Sequence, residues 1–353
     1  MEKAFSKNLI NIEPYVAGEQ PRSADIIKLN ANENPYPPSP EVHKAIAAFN
    51  ADGLRLYPPM DAAPLRQAAA DFYGLDRSCV FAGNGSDDVL AAAFRAFFNS
   101  DKPILYPDIT YSFYPVWCEL LKIPFRTIPV DEGFNVNVED YYTDNGGVVL
   151  PNPNAPTTIG LGLDRIEELI KHNRESVVII DEAYADFSGV SCVPLIKKYD
   201  NLVVTQTFSK SRALAGMRVA IALADPYLIS YLDAVKDSYN SYPMDAVSIC
   251  AGTAAMQDRE YFEATCGKIV ATRQRVTKRL RELGFILPDS SANFLFATHP
   301  DHTAREIFSY LRENGIYVRY FSKPRIDNHL RITVGTDEQM DKLLELLEKL
   351  INK

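Results

Sequence analysis

Cysteine is scarce and unpatterned in this chain. Five residues (Cys79, Cys118, Cys192, Cys250 and Cys266) are scattered, odd in number, and never form a Cys-x-x-Cys pair. That argues against a disulfide framework and against a zinc cage, so no metal is expected, and a reducing cytoplasm is the expected compartment. Long apolar runs are missing too. A bilayer span needs roughly 20 apolar residues, and Arg95 interrupts the longest Ala/Phe/Leu stretch. The opening MEKAFSKNLINIEPY has no apolar core of the secretory type, so no export signal is expected. Positive charge is in deficit: 37 Lys+Arg face 46 Asp+Glu, a net charge of −9. A sequence-independent grip on nucleic acid needs clustered cations facing phosphates, and this balance speaks against one. Local basic sites for a small anionic ligand remain open. No internal repeat or low-complexity tract is present.

What is there is ordinary globular material, 46% hydrophobic and 24% charged, in 353 residues. That length exceeds one hydrophobic core, so two lobes are expected. The first 40 residues are rich in Pro and Asn. Pro35, Pro37, Pro38 and Pro40 forbid a helix there and predict an extended arm lying on something else. A helix is expected near Ala62, with Leu65, Ala69 and Phe72 on one face. From residue 78 to about 224, short apolar runs (79–81, 103–106, 147–150, 177–180, 202–205 and 219–222) alternate with helical patterns such as 87–98 and 164–172. Uniformly apolar strands between helices imply a mainly parallel sheet covered on both faces. After residue 225 come long helical patterns (227–236, 246–256, 261–283). A smaller unit follows: strand 293–298, helix 303–314, strands 316–319 and 330–334, helix 338–351. The expected organisation is an N-terminal arm (1–40) on the small domain or on a partner subunit, a large α/β domain (41–240), and a small α+β domain (241–353) that the arm completes.

In such sheets ligands bind beyond the carboxyl ends of the strands, and the residues there are suggestive. The first run ends in Gly83-Asn84-Gly85-Ser86-Asp87, then a helix. Its outward-pointing N–H groups make a cradle for phosphate, though the same turn serves as a plain capped helix start. It lacks a Walker lysine and the dinucleotide glycine spacing, which weakens NTPase and nicotinamide-dehydrogenase readings. Tyr111 follows the second run, as a stacking face or as packing. After the third comes the rigid polar loop Pro151-Asn152-Pro153-Asn154-Ala155-Pro156-Thr157. Asp181, in Asp181-Glu182-Ala183-Tyr184, ends the fourth. A carboxylate at the mouth of a buried strand needs a cation or donor, which a structural salt bridge or a ligand equally supplies. The fifth runs into Gln206-Thr207-Phe208-Ser209-Lys210, with Arg218 eight residues on. A lysine past a buried strand among polar and cationic groups loses its proton more readily and acts as nucleophile or base, whereas a lone lysine is ordinarily surface. Taken together these residues match what pyridoxal phosphate requires: N–H groups for its phosphate, a stacking face, a donor for its phenolic oxygen, a carboxylate for its ring nitrogen and an amine for its aldehyde.

On these motifs the chain resembles the fold-type-I pyridoxal-phosphate aminotransferases, and among them the histidinol-phosphate aminotransferases. The resemblance runs from Glu13-Pro14-Tyr15 and Asn30-Ala31-Asn32-Glu33-Asn34-Pro35 to Leu330-Arg331-Ile332-Thr333-Val334-Gly335, with Ser209-Lys210 and Leu214-Ala215-Gly216-Met217-Arg218 as specific parts. It implies that Lys210 carries the cofactor as a Schiff base and later moves a proton. It also implies that Asp181 holds the ring nitrogen, Tyr184 the phenolic oxygen, and Tyr111 the ring face. Ser86, Asp87, Thr207, Ser209 and Arg218 would bind the phosphate. Arg331 would take the α-carboxylate of glutamate or 2-oxoglutarate, and Tyr15, Asn32 and Arg319 would surround the remaining substrate. Tyr57 would reach the neighbouring subunit's cofactor in a homodimer. The family's Asn-Pro-Thr-Gly loop is altered: Ala155 precedes Pro156 and Thr158 replaces the glycine, so Asn154 is expected to supply the missing contact. The implied activity is ping-pong amino transfer from L-histidinol phosphate to 2-oxoglutarate in histidine biosynthesis. An aromatic aminotransferase and a threonine-phosphate decarboxylase share the cofactor residues, and a non-catalytic binding module is the alternative outside enzymes.

Overall fold

The computed structural model describes residues 13–14, 19, 21 and 26–352. In chain order the elements are β1 (Ile27–Lys28), α1 (Pro40–Ala47), α2 (Ala63–Tyr73), β2 (Val80–Gly83), α3 (Ser86–Phe97), β3 (Ile104–Pro107), α4 (Tyr114–Leu121) and β4 (Phe125–Ile128). Then come β5 (Gly147–Pro151), α5 (Leu163–His172), β6 (Val178–Asp181), β7 (Leu202–Thr207), β8 (Ala220–Ala224), α6 (Pro226–Tyr239), α7 (Ala246–Gln257) and α8 (Arg259–Glu282). The chain closes with β9 (Phe294–Ala297), α9 (Ala304–Glu313), β10 (Ile316–Tyr317), β11 (Arg319–Tyr320), β12 (Leu330–Thr333) and α10 (Asp337–Ile351).

Among the described residues, seven strands form the main sheet in the order β2-β8-β7-β6-β5-β3-β4. The pairs among β3 to β7 are parallel, while β8 runs antiparallel to both β7 and β2. Six strands therefore point one way and β8 alone returns. The expected mainly parallel sheet is present, with all six carboxyl ends on one edge. Its strands are apolar throughout because both faces are covered. Successive residues serve opposite faces: Val178 and Ile180 pack under α2, α5 and α7, whereas Ile179 packs with α3, α4 and α6.

The smaller unit has an antiparallel sheet β11-β12-β9 backed by α8, α9 and α10. Its core takes in Leu29 from the N-terminal arm, and β1 pairs in parallel with β10 through Ile27 and Ile316. The run 316–319 is two short strands rather than one, since β10 pairs with the arm and β11 with β12. Pro40 opens α1 rather than ending the arm: at the first helical position its missing N–H costs nothing, and the Ser39 hydroxyl caps Val42 N–H. Helix α7 lies beyond residue 240, yet Ile249, Ala251 and Met256 share one core with Leu65 and Ala69 of α2. The polypeptide leaves the large lobe only at α8, whose Ile269 and Val276 belong to the second core. Among the described residues no helix is long and apolar enough to cross a membrane.

Candidate active site

The carboxyl edge of the main sheet and the facing wall of the small lobe enclose a cavity of about 630 Å³. Turns at the strand ends supply one side of it, and the arm and the small lobe supply the other.

β2 delivers Gly85-Ser86-Asp87. Gly85 holds φ +84°, a conformation that favours glycine, and a Cβ there would sit 2.5 Å from Arg218 Nη2 and push that guanidinium aside. Ser86 and Asp87, in the first turn of α3, face the cavity with their N–H groups at the positive helix end. Arg218, in the left-handed region at φ 52°, pairs with Asp87 Oδ2 at 3.2 Å. From β3 comes Tyr111, whose hydroxyl donates to Asp87 Oδ1 at 2.9 Å and whose ring lines the cavity.

Asp181 closes β6 and is buried. Its Oδ2 accepts from Tyr114 Oη at 3.0 Å, and its Oδ1 accepts from Ala183 N–H at 3.2 Å and Thr205 Oγ1 at 3.4 Å. Burial outweighs these donors and pushes its pKa up to about 6. A buried carboxylate still short of charge compensation is poised for a cation within the cavity. Tyr184 lines the same wall and its hydroxyl accepts from Asn32 Nδ2 at 3.0 Å. Asn32, with φ 55°, is fixed by its own N–H donating to Thr333 Oγ1 at 2.9 Å.

β7 brings Thr207, Ser209 and Lys210 to the cavity. Lys210 Nζ donates to Ala31 O at 3.1 Å. Its pKa falls to about 8, first because the amine is surrounded by protein, then because Arg331 and Arg218 repel its proton; Glu33 and Asp87 oppose the fall only in part. An amine in that range is a usable nucleophile and base near neutrality. Asn34 of the arm secures the lysine from behind, donating through Nδ2 to the carbonyls of Lys210 and Ser211 at 2.9 and 3.1 Å.

The small lobe contributes Arg319 and Arg331, which stand directly opposite one another on β11 and β12. Like charges in that register disfavour the sheet unless an anion lies between or beside them. Arg331 also donates to Asn30 O at 2.8 Å.

Two expected residues lie elsewhere. Asn154 is buried behind the wall: its Nδ2 donates to Ile109 O at 2.9 Å and Thr157 Oγ1 at 3.0 Å, and its Oδ1 accepts from Thr110 Oγ1. Ala155 and Pro156 occupy the cavity surface in its place. Tyr57 is 83% exposed, 4.7 Å from the Tyr242 ring and outside the cavity. Tyr15 falls outside the described residues. Sequence reasoning missed Tyr114, which opens α4 rather than ending a strand. It also missed Glu182, which points away from the cavity, accepts from Gln206 Nε2 and Ser191 Oγ, and is held near 7 by burial. Lys323 and Arg325, on the loop before β12, were not anticipated either. The recurrence of Tyr at 111 and 114 was the available signal for Tyr114.

The sequence profile of the family Aminotransferase class I and II matches residues 24–347. The chain is 53% identical to the histidinol-phosphate aminotransferase of Acinetobacter baumannii (strain SDF), over 98% of this chain and 96% of the relative. It is 50% identical to that of Lactococcus lactis subsp. lactis (strain IL1403), over 99% and 97%. The fold matches the crystal structure of histidinol-phosphate aminotransferase from Sinorhizobium meliloti in complex with pyridoxal-5'-phosphate. The TM-score is 0.84 and the identity 23%, over 92% of this chain and 91% of that one.

Proposed function

The chain belongs to the aminotransferase class I and II family, and from that membership we propose that it moves the amino group of L-histidinol phosphate to 2-oxoglutarate. The products are imidazole acetol phosphate and L-glutamate, in histidine biosynthesis in the cytoplasm, with pyridoxal 5'-phosphate as cofactor. The observation that carries this reading is the pairing, in one cavity, of a proton-poor lysine with a buried carboxylate at the ends of adjacent parallel strands.

The donor set fits the cofactor. Backbone N–H groups at the start of α3, with Thr207, Ser209 and Arg218, would hold its phosphate, and Tyr111 would face its ring. Asp181 would hold a proton on the ring nitrogen by a charge-assisted bond, which is the cation its burial calls for. Tyr184, whose hydroxyl oxygen accepts from Asn32 Nδ2, would donate to the phenolic oxygen. Ala155 offers no polar group at the altered loop, so Tyr184 would carry that contact. When bound, the cofactor supplies an aldehyde for an amine and a protonated ring that withdraws electrons from the carbon losing its proton. Lys210 Nζ takes and returns the proton at the substrate's reacting carbon. Arg331 binds the α-carboxylate of the acceptor, and Arg319 with Asn32 surrounds the remainder of either substrate. A homodimer belongs to this reading, with Tyr57 reaching across to the partner's cofactor.

The test is a panel of amino donors, each added alone to purified holoprotein, with amino transfer to the cofactor followed by absorbance. L-Histidinol phosphate should react at least tenfold faster than phenylalanine or tyrosine. Fast transfer from phenylalanine with none from histidinol phosphate would replace this reading with an aromatic aminotransferase, and release of carbon dioxide from threonine phosphate would make it a decarboxylase.

A further inference from the structure

The loop between β11 and β12 carries charge that the functions assigned so far do not use. Phe321, Lys323, Pro324, Arg325 and Ile326 all line the cavity. The loop is anchored at its far end by Arg325, held in the left-handed region at φ 69°. Its guanidinium reaches across to the large lobe, donating to Asp108 Oδ2 at 2.9 Å and to the carbonyls of Val130 and Asp131, both at 2.8 Å. Asp108 is itself fixed, its Oδ1 accepting from Val130 N–H at 3.0 Å. Ile326 is buried against Ile109, Val130 and Phe296, and Phe321 packs on the same cluster. Lys323 thus projects from a segment pinned on both sides, with Pro324 stiffening its backbone.

Apart from Asp181, which the proposed function assigns to the cofactor's ring nitrogen, the acidic groups of the cavity are already engaged: Asp87 pairs with Arg218, Asp108 with Arg325 and Glu33 with Lys28. Among the described residues, Arg319 and Lys323 make no ion pair, and they stand four positions apart on one wall. In a chain of net charge −9, a local surplus of cations in a cavity marks where a ligand brings negative charge.

We propose that Lys323 is a specificity-determining residue that, together with Arg319, binds the terminal phosphate of the amino donor as its dianion, and that Arg325 is the positioning residue that holds the loop in place. This rests on the reading that the donor is phosphorylated. A phosphomonoester has a second pKa of about 6 and carries close to two negative charges at pH 7, so it matches two cations where a carboxylate needs one. Arg319 offers a planar fork and Lys323 a point charge, so the two approach different phosphate oxygens without competing for one geometry. The carboxylic acceptor, with one charge at that end, gains little from the second cation. Lys323 therefore separates the two half-reactions.

The experiment measures each half-reaction separately on holoprotein, for wild type, Lys323→Met and Lys323→Arg. Losing one charge-assisted contact should raise KM for L-histidinol phosphate by about tenfold or more. In the same Lys323→Met variant kcat should hold, KM for 2-oxoglutarate should move by less than about twofold, and Lys323→Arg should restore most of the loss. In wild type, KM for the donor should fall as pH rises through about 6, when the phosphate takes its second charge, and that slope should flatten in Lys323→Met. An unchanged donor KM, or equal rises for both substrates, overturns the role of Lys323 while leaving the proposed function standing. A wild type that takes no amino group from histidinol phosphate overturns the functional reading, and this assignment with it.

Discussion

At the scale of single residues, the chemistry is set by where burial is left uncompensated. Lys210 and Asp181 are displaced in opposite senses, the lysine down to about 8 and the aspartate up to about 6, and in both burial is the largest cause. Each is held closer to its neutral form than water would hold it, and each waits for a partner of the complementary kind. The lysine's state has a measurable consequence. Capture of pyridoxal 5'-phosphate by the apoprotein requires the free amine, so its rate should rise with pH around a midpoint near 8 and level off above it. A midpoint near the ordinary lysine value of 10.5 would show that the amine is not depressed. The sign for stability follows from the same shift. Between about 8 and 10.5 the unfolded chain holds a proton on this residue that the folded apoprotein has shed. The lysine therefore disfavours the fold fully below pH 8, and that cost fades as pH climbs to 10.5. Asp181 and Lys210 were legible in the sequence because each follows a run of apolar residues that can only be a buried strand. Tyr114 was not, because a hydroxyl inside a helical pattern reads as packing until its distance to Asp181 is known.

At the scale of elements, the turn from β2 into α3 shows how backbone conformation decides a site. Gly85 combines φ +84° with ψ 166°, a region essentially reserved for glycine and costing any other residue about 1–3 kcal/mol. The Arg218 guanidinium also occupies the space a methyl group would need. Gly85→Ala should thus do two things at once: destabilise the fold by about 1–3 kcal/mol in denaturant titration, and weaken cofactor binding at least tenfold by moving Arg218. Full cofactor affinity in a folded Gly85→Ala protein would remove Arg218 from the phosphate site. Elements with both faces covered were readable from their composition alone, as with β5, β6 and β7. β4 was not, since Phe125, Arg126 and Thr127 are exposed on the sheet edge and give no apolar run. The core that α7 joins was not readable either, for its apolar residues fit either one and only the packing against α1 and α2 decides. The Asn154 expectation failed to bring a side chain to the cavity for a related reason: a loop with Pro153 and Pro156 has its side-chain directions fixed by backbone angles that residue order does not reveal.

At the scale of the whole molecule, a run of apolar side chains stands in water. Leu54, Leu56, Tyr57 and Met60 are all exposed beside the start of α2, with Tyr242 next to them. A grouped display of this kind marks a protein-binding face, and a second copy of the chain is the partner the proposed function calls for. Light scattering should therefore give twice the chain mass in solution. Tyr57→Ala should leave the dimer intact yet loosen the cofactor by about tenfold, as loss of one contact to a charged phosphate would. A monomer with full activity would exclude a shared site. A last consequence concerns the order in which the polypeptide is made. The arm that touches Lys210 through Ala31 and Asn34 leaves the ribosome long before its strand partner, Ile316–Tyr317. During synthesis the arm must wait, unpaired, until β10 has been made. Until then the reactive lysine lacks one of its walls, so a chain cut short before β10 would leave that amine open to stray aldehydes and unable to work.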